Sequence, residues 1–205
     1  MTDKTREKLV YEYELAEKGA KYIAGVDEVG RGPLAGPVVC CAVIMPLDED
    51  YIIDGVDDSK KVSEKKRKVL AEEIKKRAIA YKICRIEPEE IDEINILQAT
   101  IKCMQDCVDG LSVKPDAVLV DAVNIKADCK VVPIIKGDAK SYTIGAASIV
   151  AKVYRDALME EYDKVYPDYD FKSNKGYGTK KHIDAIKEVG ACPIHRKTFI
   201  KNFSD

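Results

Sequence analysis

The sequence predicts an α/β fold with a helical C-terminal part, on three observations. Two apolar runs, 22–26 and 38–45, flank a glycine-rich loop near the N-terminus. Short β-branched runs at 117–120 and 130–135 then alternate with helical stretches, and beyond about Thr143 only helical spacing remains. Strands first, strand–helix alternation next and helices last is the order of a sheet covered by helices. The 205 residues suit one domain with a sizeable core, and 46% apolar with 34% charged residues is an ordinary soluble composition. There is no internal repeat, low-complexity tract or linker.

Residues 4–18 place Leu9, Tyr13 and Ala16 at helical spacing, with Gly19 as the stop. The first strand, containing Tyr22, Ile23 and Val26, runs into Asp27-Glu28. Gly30, Arg31, Gly32, Pro33, Gly36 and Pro37 make a turn-rich loop, and Val38 to Met45 is the returning strand. After an acidic loop, a helix is expected from Ser63 as N-cap, with Val69, Leu70 and Ile74 facing a core. Ile79 to Ile86 reads as a strand, Pro88 opens a helical segment, and Ile94 to Val108 continues it to Gly110. Ala117 to Val120 has the continuous apolar character of a strand buried on both faces. Lys130 to Ile135 is another strand, followed by a helix from Thr143 to Tyr162 and a last one around 180–189. The tail CPIHRKTFIKNF shows no period.

The net charge of −2 does not favour nucleic acid globally, so any such contact must be local. Basic residues do cluster at Lys60, Lys61 and 65–68, and again between Lys172 and Lys197, although such runs are commonly solvated helix faces. Seven cysteines, none in a C-x-x-C, read as reduced core residues. The charged N-terminus is unlike a secretory signal, and no apolar run is long enough for a membrane span; a cytoplasmic location is expected.

The chemistry lies in where the acids fall. Three strand-like runs end in carboxylates: Asp27-Glu28, Asp121 and Asp138. In open α/β sheets, sites form beyond strand ends where loops converge. Four carboxylates gathered there repel, raising their pKa values or demanding cations, and hard oxygen donors select Mg²⁺ or Mn²⁺. Two such ions, roughly 3.5–4 Å apart, would serve a phosphodiester displacement. In a regular strand Asp27 and Glu28 point to opposite faces, so both reach one ion only if the strand bends or ends there. Asp156 competes with Asp138 as fourth acid, but Arg155 beside it and its mid-helix position favour a surface or structural role.

The ordered motifs GVDEVGRGPLAGPV, DDSKKVS, LVDA, KGDAKS, SIVAKVYRD, NKGYGT and CPIHRKTF resemble those of ribonuclease HII, over about residues 20–200. The resemblance implies a ribonuclease H-like fold, a central mixed sheet flanked by helices, as a single catalytic domain over 1–205. Its core would span about 20–165, with a helical extension over about 166–205. It implies cleavage of the RNA strand of RNA–DNA hybrids, and cutting 5′ of single ribonucleotides in duplex DNA. The cofactor would be Mg²⁺ or Mn²⁺, two ions, and the products 3′-OH and 5′-phosphate ends. A monomer is expected. Asp27, Glu28, Asp121 and Asp138 match the four active-site acids. Gly30, Arg31 and Gly32 match the loop that senses the ribose 2′-OH; Tyr177 matches the tyrosine that stacks on the next sugar; Ser59 and Lys60 match a phosphate-contacting turn. Ala122, where many relatives have glycine, and Gly145, in a helix start usually rich in alanine, depart from the pattern, and Gly145 is expected to loosen its helix.

Other side chains carry less specific expectations. Lys136, Lys152 and Lys175 are possible phosphate contacts or solvated lysines, and His182 and His195 are given structural or substrate-edge roles. A related nuclease or strand-transfer enzyme of the same fold would lack the Gly-Arg-Gly loop, and a non-catalytic module would lack an acid. Neither a P-loop nor a dinucleotide fingerprint occurs.

Overall fold

The computed structural model describes residues 1–203, so the last two positions of the expected 1–205 range lie outside it. Helices α1 (Asp3–Glu7) and α2 (Val10–Glu17) precede the hairpin of β1 (Ile23–Val29) and β2 (Val38–Ile44). Then follow α3 (Glu64–Arg77), β3 (Ala80–Ile86), α4 (Pro88–Ile94), α5 (Ile96–Asp109), β4 (Ala117–Asp121) and β5 (Lys130–Ile134). The rest is helical: α6 (Gly137–Lys140), α7 (Tyr142–Val165), α8 (Phe171–Asn174), α9 (Lys180–Val189) and α10 (Lys197–Ile200).

The strands form one mixed sheet in the order β3-β2-β1-β4-β5. β1 pairs antiparallel with β2 and parallel with β4, so the acids at the ends of β1 and β4 come to the same edge of the sheet. Alternation along β2 divides the core. Cys40 and Ala42 pack with Cys103, Met104 and Cys107 of α5 on one face. Val39, Cys41 and Val43 pack with Leu70 and Ile74 of α3 and Ala146 and Val150 of α7 on the other. All seven cysteines are free thiols, as the sequence implied. Helix α7 crosses β1 at Gly25, where any Cβ would overlap the Thr143 backbone. That close approach explains a glycine inside a strand.

Five local expectations change. Val69, expected to face a core beside Leu70 and Ile74, is exposed on α3. The N-terminal helix is two, Asp3–Glu7 and Val10–Glu17. The segment after Pro88 does not run through as one helix: Asn95 turns to φ 65° and caps α5, its Oδ1 accepting from the Leu97 and Gln98 amides. Ser63 stands at the α3 N-cap position without a side-chain capping bond. The tail that lacked a period folds against the molecule, with Ile194 and Ile200 packing beside Phe171, Ile186 and Ala35.

Candidate active site

Strand β1 is regular through Val29, so the expected bend or end at Asp27-Glu28 does not occur. What ends is the neighbour: the parallel ladder with β4 stops at Val26↔Val120. Past that point both acids stand at an open edge beside Asp121, the last residue of β4. Carboxylate oxygens of Asp27, Glu28 and Asp121 lie within 4.8 Å of one another. Asp138, in α6, lines the same cleft.

Gathering these charges perturbs them. Burial first, then the charges of Glu28 and Asp121, push the Asp27 carboxyl well above its ordinary range, against hydrogen bonds from Ser148 and the Glu28 amide. Burial also raises Glu28, which Arg31 at 3.7 Å partly offsets. Asp138 is raised by burial and by the charges of Asp58 and Asp121. Glu28 Oε2 is buried with no hydrogen-bond partner, a costly state for an acceptor-only group. A hard cation among these oxygens would supply the missing partner and offset the repulsion, so the donor set fits Mg²⁺ or Mn²⁺.

The remaining sequence-predicted residues surround the acids. Gly30, Arg31, Gly32, Ser59, Lys60 and Tyr177 line the same cleft of about 220 Å³, together with Ser148 and Lys152. The Tyr177 ring is half-exposed and stands beside Gly32, where an added Cβ would meet its Cε1 at 3.7 Å. Ser59 is buried, its hydroxyl bonded to that of Ser148 at 3.0 Å, and Arg67 donates to the Ser59 and Val62 carbonyls, shaping that turn. Of the three further lysines, Lys136 is outside the cleft lining. Lys152 is held by Asp156 at 2.7 Å, and Lys175 by Glu160 at 2.9 Å. Asp156 is buried on α7 with Lys152 and Arg67 as partners, the structural role expected of it.

Sequence reasoning missed the residues that hold these elements. Arg155 and Arg196 are both completely buried, neither at the surface nor loose in a tail. Arg155 donates to the carbonyls of Ala35, Pro37 and Lys175. Arg196 donates to those of Gly30, Arg31 and Gly36. Burial, together with Arg155 nearby, lowers the Arg196 guanidinium to about 9. Gly30 has φ +90°, and a Cβ there would overlap the Arg155 side chain. On the other flank, Lys8 donates to Ala139 O at 2.6 Å and Asp57 Oδ1 at 2.7 Å, bracing the segment that carries Asp138. Glu12 Oε1 accepts from the hydroxyls of Ser141 and Thr143 and from the Thr143 amide. The only sequence signal was indirect: Arg155 and Arg196 stand inside two of the quoted motifs, SIVAKVYRD and CPIHRKTF.

The two departures from the family pattern have opposite meanings. Ala122 adopts φ 51°, a conformation that suits glycine and costs alanine roughly 1 kcal/mol. Gly145 does not loosen its helix idly: a Cβ there would press on the Asp138 carbonyl at 3.1 Å, so its absence lets α7 approach the acid.

The family model of ribonuclease HII matches residues 24–202. The chain belongs to the ribonuclease HII family. Membership makes it a hydrolase of the ribonuclease H class, an endonuclease acting on the RNA of RNA–DNA hybrids. It is 54% identical over 203 residues to ribonuclease HII of Lachnoclostridium phytofermentans, covering 98% of this chain and 79% of that one. The crystal structure of ribonuclease H2 from Pyrococcus horikoshii superposes with a TM-score of 0.74 at 28% identity, over 87% of this chain and 93% of that one. The ribonuclease HII chain of the PCNA complex from Archaeoglobus fulgidus gives the same score and identity, over 87% and 94%. Both share the mixed sheet and flanking helices expected of a ribonuclease HII fold. No helix among the described residues is long and apolar enough to cross a membrane.

Proposed function

We propose that this ribonuclease cuts both continuous RNA–DNA hybrids and the 5′ side of single ribonucleotides in duplex DNA, by two-metal hydrolysis that leaves 3′-OH and 5′-phosphate ends. One observation carries the reading: the three closely grouped carboxylates share a cleft with Asp138, the Gly30-Arg31-Gly32 loop and Tyr177. Asp27, Glu28, Asp121 and Asp138 would hold two divalent ions, Mg²⁺ or Mn²⁺, which when bound supply Lewis acidity and an activated water. The chain's own residues select the substrate. Backbone groups of Gly30 and Gly32 approach the sugar without a Cβ in the way, and a 2′-OH offers both a donor and an acceptor. Ser59 and Lys60 contact a neighbouring phosphate, which positions the strand without reading it. Tyr177 stacks on the following sugar. Residues 166–205 belong to this catalytic unit, since they carry Tyr177 and the Arg196 that holds the loop.

The test is cleavage of three matched duplexes, all-DNA, single-ribonucleotide and full hybrid, with Mg²⁺, with Mn²⁺ and with chelator. Cutting of both ribose-containing duplexes only with metal is expected. Equal cutting of the all-DNA duplex would eliminate the ribose sensor, and metal-independent cutting would eliminate the role of the acids.

A further inference from the structure

His182 and His195, the chain's only histidines, are buried and touch each other. Their Nε2 atoms stand 2.9 Å apart. His182 Nδ1 lies 2.9 Å from the Tyr177 carbonyl oxygen, and His195 Nδ1 lies 2.9 Å from the Cys192 amide nitrogen. These ends determine the protons between them. A carbonyl only accepts, so His182 carries its proton on Nδ1 and, when neutral, leaves Nε2 as an acceptor. The Cys192 amide only donates, so His195 Nδ1 accepts and its proton sits on Nε2. His195 Nε2–H therefore donates to His182 Nε2. One tautomer of each ring satisfies the whole chain. The Cys192 carbonyl, also 3.2 Å from His195 Nδ1, is already supplied by the His195 amide at 3.0 Å, and the Cys192 thiol, 3.2 Å from the same nitrogen, is a weak donor compatible with Nδ1 as acceptor. Tyr169 and Phe171 pack against both rings, with centroids 4.8–6.2 Å away, which keeps the pair dry and favours its neutral form.

We propose that His182 and His195 are positioning residues: a neutral relay from the Cys192 amide to the Tyr177 carbonyl that fixes the Tyr177 ring at the mouth of the cleft. The proposal rests on the role of Tyr177 in gripping substrate. The Tyr177 carbonyl also accepts from the Thr179 amide at 2.8 Å, so the relay adds the second of two restraints. It comes from α9 and the tail, where Arg196, the residue after His195, holds the Gly30-Arg31 loop. A structural role alone would ask only that the rings fill space; the relay asks for a donor at one atom.

Two measurements separate these. In full-length protein labelled with ¹⁵N, four ring-nitrogen signals report the tautomers, with protons expected on Nδ1 of His182 and Nε2 of His195. Any other assignment overturns the relay, whatever Tyr177 does. The second compares His182→Asn, whose amide can still donate near the Nδ1 position, with His182→Phe, which fills the space and cannot donate. Loss of one restraining hydrogen bond predicts about a fivefold fall in kcat/KM on the single-ribonucleotide duplex for His182→Phe, and a smaller one for His182→Asn. Packing predicts the reverse order, following the melting temperatures, and that result rejects the proposal. In a Tyr177→Ala background the effect of His182→Phe should vanish; an undiminished effect means the histidines act elsewhere. If Tyr177→Ala alone leaves the rate unchanged, the substrate role of Tyr177 fails, and the ring-nitrogen assignment still decides whether the relay exists.

Discussion

Two groups of buried charge lie within one cleft wall of each other, and they are treated in opposite ways. The carboxylates of Asp27, Glu28 and Asp121 crowd together, burial raises Asp27 and Glu28, and Glu28 Oε2 is left without a partner. The guanidinium groups of Arg155 and Arg196 are buried more deeply, but each nitrogen that could be left bare donates to a backbone carbonyl. One group is left wanting a ligand, and the other is closed. In this cleft the incompletely satisfied charge invites a ligand, and the completely satisfied one marks where the backbone must not move; Glu12 Oε2, also buried without a partner, lies outside the cleft lining. The arginines hold the very loop, Gly30 to Gly36, that continues from the acids, so rigidity and unmet charge sit side by side.

The contrast is broken most severely by removing an acid. Asp27→Asn and Asp121→Asn should each lower cleavage by about 10²–10³-fold or more, because each takes a ligand from the charge-stabilising site. Without metal these variants should be as stable as wild type or more so, since repulsion is relieved. Near-normal turnover in either would remove that residue from the metal site. Removing an arginine should do the reverse to stability. Arg196→Met strands the buried carbonyls of Gly30 and Gly36 and the part-buried one of Arg31, and a loss of about 3 kcal/mol in denaturant unfolding is expected, with cleavage of both ribose-containing substrates impaired. Arg196→Lys should recover little of it, because an ammonium lacks the planar fork. An Arg196→Met protein as stable as wild type would show that the loop supports itself.

Metal should distinguish the two groups directly. Mg²⁺ at one hundred times its Kd would stabilise wild type by about 2.7 kcal/mol, seen as a raised melting temperature. The shift should collapse in Asp27→Asn and survive in Lys152→Gln, which removes a positive charge from the cleft lining. Equal shifts in wild type and Asp27→Asn would place the ions elsewhere.

A smaller effect follows from proton linkage. The folded-state pKa of Asp27 stands above its unfolded value, so its stabilising contribution is complete at low pH and is lost as pH rises through the raised value. In chelator, the advantage of Asp27→Asn over wild type should therefore grow as pH rises from the ordinary carboxylate range towards the raised value, and flatten when Mg²⁺ is added. A constant difference across that range would mean that Asp27 is ionised throughout. The smallest expected effect separates two of the loop's glycines, Gly30 and Gly32. Gly32→Ala meets only ordinary contact with Tyr177 and should unfold within about 0.5 kcal/mol of wild type while losing cleavage. Gly30→Ala, forced into positive φ against Arg155, should lose both. A destabilised Gly32→Ala would contradict the open space beside it.

By itself, the sequence singled out the acids, the glycine loop and Tyr177 as candidates, and the family resemblance added the serine–lysine turn. Each is a short run whose residue types are costly or unusual outside a site, so the signal survives without coordinates. It also determined β1 and β4, because an apolar run ending in a carboxylate is local, whereas Asp138 stands in α6 beyond the end of β5. The break at Asn95 was hidden, since apolar spacing on both sides continues across it and only the backbone at φ 65° reveals it. Tertiary structure alone decided how Asp27 and Glu28 converge: the strand does not bend, but its β4 ladder ends one residue earlier. It alone decided that Arg196 reaches the Gly30 and Arg31 carbonyls, that Lys8 and Glu12 brace the segments around Asp138, and that His195 meets His182. Those residues are separated from most of their partners by tens of residues or more and are of common types. Their meaning comes from burial, which turns an ordinary charge or ring into one whose every hydrogen bond must be met.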